Sequence, residues 1–249
     1  MLVACGSSPN DPRSEINLDK LYAEAKEDLS NGSYDRAIKT LERIESRSTG
    51  TLMGQQAMLD LSYAQWRSGE RAQALSSVDR FIKLHPSSPA LDYAYYLRGI
   101  INFNDNLGIL GALARQNLSE RDQRASRDAY QSFKLLVDQF PTSRYSADAR
   151  TRMDYIVNSL AAYEVHVARY YFLRGAHLAA ANRAKQAVTE FDGAPAVEEA
   201  LYIMVQSYDK LGLAELRDAA DRVLRKNYPN SRYPTVGIGG DNRPWWQLW

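Results

Sequence analysis

The chain has 249 residues, 31 Lys+Arg against 30 Asp+Glu, 45% hydrophobic residues and a single cysteine, a length and balance that exclude disorder and disulfide-stapled miniproteins. Near-neutral charge removes the general pull toward nucleic acid that a basic excess supplies. One cysteine and three separated histidines, His85, His166 and His177, cannot assemble a zinc cluster from the usual soft ligands, and no apolar run reaches the roughly 18 residues that span a bilayer.

The chain opens Met1-Leu2-Val3-Ala4-Cys5-Gly6-Ser7-Ser8-Pro9. Two apolar residues, a small one and cysteine, then a polar tether broken by proline, form the pattern of a bacterial lipobox. In proteins carrying it, the thiol receives a diacylglycerol and becomes the mature N-terminus. Cys5 is therefore the expected lipid attachment point, with a chance tetrapeptide as the alternative. One acyl chain gives marginal membrane binding and two or more give durable anchoring. The basic and apolar regions of a signal peptide are missing, which predicts a shortened or late-started chain that would not be lipidated by itself. Gly6 rather than Asp after the cysteine points to the outer membrane.

Aligning Gly32 on Gly69 places Ala37 over Ala74, Leu41 over Val78 and Thr49 over Pro86, each 37 residues apart. The shared phrase marks a turn and then a helix whose small residue lets the preceding helix approach closely. Pro86 stops that helix, since it lacks an amide donor and disfavours helix before it. These two units resemble the tetratricopeptide repeat, a helix-turn-helix of about 34 residues. A third unit carries Tyr95, Gly99 and Asn102 on its first helix and Ala129, Phe133 and Pro141 on its second. Ala74 to Ala129 is 55 residues, so a surface excursion of polar composition is expected over 104–124, with room for a short helix around Leu110 to Ala114.

Ala149, Met153, Ile156, Leu160, Tyr163, Val167, Tyr170 and Arg174 recur by threes and fours, with no Gly or Pro between Ser146 and Arg174. That spacing predicts one helix of about 28 residues with a single apolar stripe. The fourth unit continues with Gly175, Ala180, Ala184 and Ala187. A fifth runs from Ala196 to Tyr228, with Gly212 placed 37 residues after Gly175. Its small residues Ala219 and Ala220 fall late, which predicts a turn one or two residues longer there. Phrases such as His85-Pro86-Ser87-Ser88 and Phe140-Pro141-Thr142-Ser143 break one helix and offer a cap to the next. The expected fold is all-α, an α-solenoid of five tetratricopeptide repeats and about ten helices. It is preceded by a tether over 1–17, divided into repeats one to three over 18–142 and four and five over 143–229, and followed by a tail over 230–249. Only that tail leaves room for a strand.

First helices of such repeats line a concave face. With Ala25, Ser62 and Gly99 as the small packing positions, that face reads Tyr22, Lys26, Leu29; Leu59, Tyr63, Trp66, Arg67; and Tyr93, Tyr96, Ile100, Phe103. An aromatic groove with a few cationic heads suits an extended peptide with aromatic side chains and a free carboxylate. Each ring can equally be inter-repeat core, and their clustering favours a site. A second feature is Arg169, Arg174, Arg183 and Lys185 around the Gly175 turn, with Glu164 and Glu190 as the acids nearby. These are either solvated helix ends or a docking surface.

The phrases Asp79-Arg80-Phe81-Ile82-Lys83-Leu84-His85-Pro86, Asp92-Tyr93-Ala94-Tyr95-Tyr96-Leu97-Arg98-Gly99, Tyr163 through Tyr171, and Arg174-Gly175-Ala176 through Arg183 resemble the BamD (ComL) family. Its members are tetratricopeptide lipoproteins of the outer-membrane β-barrel assembly machinery. The resemblance implies a non-enzymatic scaffold on the periplasmic face of the outer membrane, held by lipid on Cys5 and without other cofactor or metal. The N-terminal repeats would recognise C-terminal targeting strands of unfolded outer-membrane proteins through Tyr22, Tyr63, Trp66, Arg67, Tyr93, Tyr96 and Phe103. The C-terminal repeats would dock the periplasmic POTRA region of BamA through Arg174 and Arg183, beside other lipoproteins of the machinery. The tail Arg243-Pro244-Trp245-Trp246-Gln247-Leu248-Trp249 departs from the better-known members and is expected to fold back on the last helix. Two alternatives stand beside this. One is another repeat lipoprotein acting as a peptidoglycan-associated adaptor. The other is a cell-wall lyase, which would need a pocketed carboxylate, whereas Glu164 and Glu190 read as helix-surface charges.

Overall fold

Two kinds of turn alternate along the chain and set its architecture. The computed structural model describes residues 12–103 and 120–238, with side chains described over 18–103 and 123–238. Within these, eleven helices run in order: α1 Pro12–Ser30, α2 Tyr34–Arg47, α3 Leu52–Arg67, α4 Arg71–Leu84, α5 Leu91–Asn102, α6 Glu120–Gln139, α7 Ser146–Leu173, α8 His177–Glu190, α9 Val197–Lys210, α10 Ala214–Asn227 and the single turn α11 Tyr233–Val236. The described residues contain no strand. Cys5, the short helix expected near Leu110 to Ala114 and the aromatic tail from Arg243 lie outside the described residues. Helix α6 already runs from Glu120, so the end of the expected excursion is helical.

The first kind of turn joins the two helices of a pair. Gly32, Gly69, Gly175 and Gly212 have φ of 73°, 91°, 77° and 71°, a left-handed conformation that only glycine adopts freely. Each glycine N–H donates to the carbonyl three residues back, Leu29, Trp66, Phe172 or Asp209. The following N–H donates five back, to Asp28, Gln65, Tyr171 or Tyr208. This double closure satisfies the last carbonyls of the helix. The next helix begins two residues after the glycine every time, at Tyr34, Arg71, His177 and Ala214. The fifth turn is therefore not longer, as its late alanines suggested. Arg217 stands where Ala37, Ala74 and Ala180 stand in the other pairs, and the buried small residue has moved one helical turn on to Ala220.

The second kind of turn joins one pair to the next. After α4, α6, α8 and α10 a ring residue, His85, Phe140, Phe191 or Tyr228, donates its N–H to the carbonyl four residues back. Three residues later Ser88, Ser143, Ala194 or Ser231 donates to the ring residue's carbonyl. After α2, Ser48 and Thr51 do the same, and Thr51 Oγ1 caps α3 by accepting from Gly54 N at 3.1 Å. Five helix pairs of tetratricopeptide type follow from these two alternating closures: α1/α2, α3/α4, α5/α6, α7/α8 and α9/α10.

The chain divides into two compact units, Met1–Asp105 with Ala125–Arg150 and Asn106–Arg124 with Thr151–Trp249. In the first, the core is a series of local clusters rather than one centre. Leu21, Ala25, Ala37, Leu41, Ile44 and Leu61 form one, and Met58, Leu59, Val78, Phe81, Leu97 and Ile101 the next. Such nearest-neighbour burial is how stacked repeats are stabilised. Small residues sit where helices approach closely. Ser62 is fully buried and donates to the Ala74 carbonyl at 2.9 Å. A Cβ at Gly99 would lie 2.4 Å from the Phe133 ring, so only glycine lets α5 meet α6 there.

In the second unit, Val165 and Ala168 of α7 pack with Ala180, Ala184 and Ala187 of α8 and Ala200 and Ile203 of α9. Helix α7 has the predicted 28 residues, but its stripe turns. Ala149, Ile156 and Leu160 are buried as expected, whereas beyond Leu160 the buried residues are Ala161, Glu164, Val165 and Ala168. Tyr163 and Val167 are half-buried and Tyr170 is exposed. The strict three-four spacing drifts around a helix of 3.6 residues per turn, and the alanines permit the closer contact.

Candidate functional site

The aromatic face of the first unit is organised by one carboxylate. Asp60 lies within the apolar run of α3, buried to 6% exposure, and an ionised carboxylate there requires donors. Tyr22 Oη of α1 donates to it at 2.7 Å, Gln56 Nε2 at 3.5 Å, and Lys26 Nζ stands 3.5 Å away. The network ties α1 to α3 and fixes two of the expected groove residues.

Beside Asp60 opens a recess of about 470 Å³ lined by Lys26, Gln56, Leu59, Asp60, Asp92, Tyr93, Arg144 and Tyr145 among others. Its outer wall comes from the turn after α6. Ser143 Oγ donates to Asp92 Oδ2 at 2.6 Å and accepts from Tyr145 N at 3.2 Å. Tyr145 is thereby held against α5, its ring stacked on Tyr96 at 4.7 Å and tilted against Tyr93 at 5.5 Å. Tyr96 Oη donates to Asp148 Oδ2 at 2.8 Å. Arg144 donates to the Tyr145 hydroxyl, and its guanidinium lies 4.7 Å from that ring's centre.

A second ring group adjoins. Tyr63 and Trp66 meet at 5.9 Å, and the Arg67 guanidinium lies over Tyr34, Tyr63 and Trp66 at 4.9, 5.7 and 6.0 Å. Of the expected residues, Tyr93 lines the recess, Tyr22 bonds to its Asp60 and Tyr96 stacks on its Tyr145, while Tyr63 and Trp66 gather about the Arg67 cation. Phe103 packs edge-on to Phe133 at the end of α5, and Leu29 packs on the first core cluster. Asp60, Arg144 and Tyr145 were missed. A lone carboxylate between Leu59 and Leu61 was the available signal for the first, while the other two sit on a turn, away from the first helices that supplied the expected face.

Burial raises the Tyr22 phenol above its ordinary value of 10.0, and its hydrogen bond to Asp60 adds to the rise. Burial, then the Asp60 charge, raises Tyr93 likewise. The folded chain therefore holds more protons than the unfolded one once pH passes about 10. Their contribution to stability is complete below that pH and is lost as pH climbs further. Absorbance titration is expected to show at least two phenols ionising only with alkaline unfolding, and Tyr22→Phe/Tyr93→Phe to flatten that loss. Simultaneous ionisation of all tyrosines in the folded state would contradict it.

In the second unit, the expected arginine patch is partly neutralised. Arg169 makes a two-pronged contact with Glu199, Nε to Oε1 at 2.8 Å and Nη2 to Oε2 at 2.7 Å. Glu199 lies on α9, outside the stretch that counted Glu164 and Glu190 as the nearby acids. Glu164 is no surface charge: it is 2% exposed and accepts from Arg183 Nη1 at 3.1 Å. Arg174 is exposed and stacks over Tyr170 at 5.3 Å, and Lys185 is exposed. Among the described residues no group of three His, Cys, Asp or Glu could hold a metal ion, and no helix is long and apolar enough to cross a membrane.

The family YfiO, described as outer membrane lipoprotein, matches residues 14–224. Outer membrane protein assembly factor BamD of Neisseria meningitidis is 43% identical over 94% of this chain and 87% of its own length. That of Xylella fastidiosa is 35% identical over 86% and 73%, and that of Pasteurella multocida 34% over 91% and 86%. Among solved structures, MamA protein aligns at a TM-score of 0.39 with 16% identity, over 89% of this chain and 96% of that one, a likeness too slight to inform fold or site. With the helix pairs of the repeat fold in place and identity sustained from the first pair to the last, this chain belongs to the BamD family of outer membrane lipoproteins.

Proposed function

We propose that the chain serves outer membrane protein assembly, as its relatives' shared name states, as a non-catalytic scaffold on the periplasmic face held by lipid on Cys5. Its first unit takes the C-terminal targeting strand of an unfolded outer-membrane protein. The recess beside Tyr93 and Tyr145 carries this proposal: ring walls with balanced charge match an aromatic side chain, and ring pairs add about 0.5–1.5 kcal/mol beyond burial. A strand presents alternate side chains to one face, so further side chains reach the Tyr63–Trp66 pair. Tyr63→Ala with Trp66→Ala is expected to weaken a peptide ending in an aromatic residue by about tenfold, with unchanged helicity by circular dichroism. Equal affinity with intact folding would move the site elsewhere.

The second unit docks the POTRA region of BamA around Arg174. In support, Tyr170, Leu173 and Leu178 are 53%, 71% and 60% exposed beside it, and arginine among exposed rings and aliphatics is the composition of binding hot spots. Arg183 contributes the 44% of its side chain that its pairing with Glu164 leaves exposed. Arg174→Glu is expected to weaken POTRA capture at least about tenfold with the melting temperature unchanged. Undiminished capture by Arg174→Glu would place the contact on another face.

A further inference from the structure

We infer that Arg67 receives the free carboxylate of the bound peptide's last residue, an inference that rests on the groove proposed above. The recess itself is a poor anion site. Its two cations, Lys26 and Arg144, are matched by two acids, Asp60 and Asp92. Lys26 is paired with Asp60 at 3.5 Å, and Arg144 lies in the field of Asp92. A carboxylate entering there meets two like charges.

Arg67 differs in each respect. It is exposed and makes no ion pair among the described residues. Among the described residues its one side-chain hydrogen bond is from Nη1 to Tyr63 Oη at 2.7 Å, which leaves the other N–H groups of the fork for a ligand. Three ring faces hold the guanidinium by its positive charge. A guanidinium already ordered on rings loses little further freedom when it binds, and its planar fork matches two carboxylate oxygens. Tyr63, Trp66 and Tyr93 pack against the same core cluster, and Tyr93 lines the recess, so this charge lies on the same face as the recess. The face therefore offers a neutral pocket for a ring and one uncompensated cation for a chain end.

The test uses two labelled peptides of one sequence ending in an aromatic residue, one as the free acid and one as the C-terminal amide, with fluorescence anisotropy on the full chain. The acid is expected to bind about tenfold more tightly than the amide. Arg67→Gln should bring the acid-to-amide ratio down to about one, whatever its effect on the affinity that both peptides share. Arg144→Gln should preserve the acid-to-amide ratio. Equal binding of acid and amide to the wild type, or a ratio that survives Arg67→Gln, overturns the role of Arg67 and leaves the groove standing. A wild type that binds neither peptide overturns the groove itself and the inference with it.

Discussion

Arg169→Met is expected to destabilise the second unit by about 3–5 kcal/mol, the cost of leaving a buried carboxylate without its cation. Arg169 and Glu199 have side chains only 20% and 8% exposed, and the hydrogen bond to Glu199 is the main cause that raises the Arg169 pKa. The pair joins α7 to α9 across two repeats. Tyr233 Oη adds a third bond to Glu199 at 3.3 Å, and its ring stacks on Tyr202 at 5.9 Å. Removing the guanidinium leaves Glu199 one weak donor. Urea unfolding followed by circular dichroism should show the loss, and Arg169→Met/Glu199→Leu should recover much of it, because two apolar side chains need no partner. A loss below about 1 kcal/mol would mean that water reaches Glu199 freely and that the pair acts as an exposed one.

Tyr145→Ala is expected to weaken peptide binding by about 30-fold, near 2 kcal/mol. The ring is shared by three partners, stacking on Tyr96, tilting on Tyr93 and carrying the Arg144 guanidinium. It also lines the recess, so its loss removes both a wall and the support of two others. Tyr145→Phe keeps the ring and loses only the hydroxyl that accepts from Arg144, and should bind within about threefold of the wild type. If Tyr145→Ala binds the peptide as the wild type does and melts at the same temperature, the recess is not the binding pocket.

The glycines at 32, 69, 175 and 212 announce their turns because no other residue adopts that backbone conformation at little cost. Ser146 to Arg174 announces a long helix because nothing in it interrupts one, and the helix runs Ser146–Leu173. Tyr22, Tyr93 and Tyr96 were legible as a face because they share helical register with the small packing residues. Tyr145 was not, since it lies on a turn whose Ser143 bonds to Asp92, 51 positions away in sequence. Glu199 escaped notice because it is 30 positions from the arginine it neutralises.

The sequence alone determined the all-α repeat architecture, the places where helices end and the family to which the chain belongs. Those depend on local backbone chemistry and on periodic small residues, which neighbours along the chain suffice to express. Which charges remain available was decided only by the tertiary structure. Lys26, Arg169 and Arg183 face carboxylates on other helices, whereas Arg67 and Arg174 rest on aromatic rings. Charge pairing acts through space between distant positions, so a near-neutral sum of 31 against 30 conceals which cations are already satisfied.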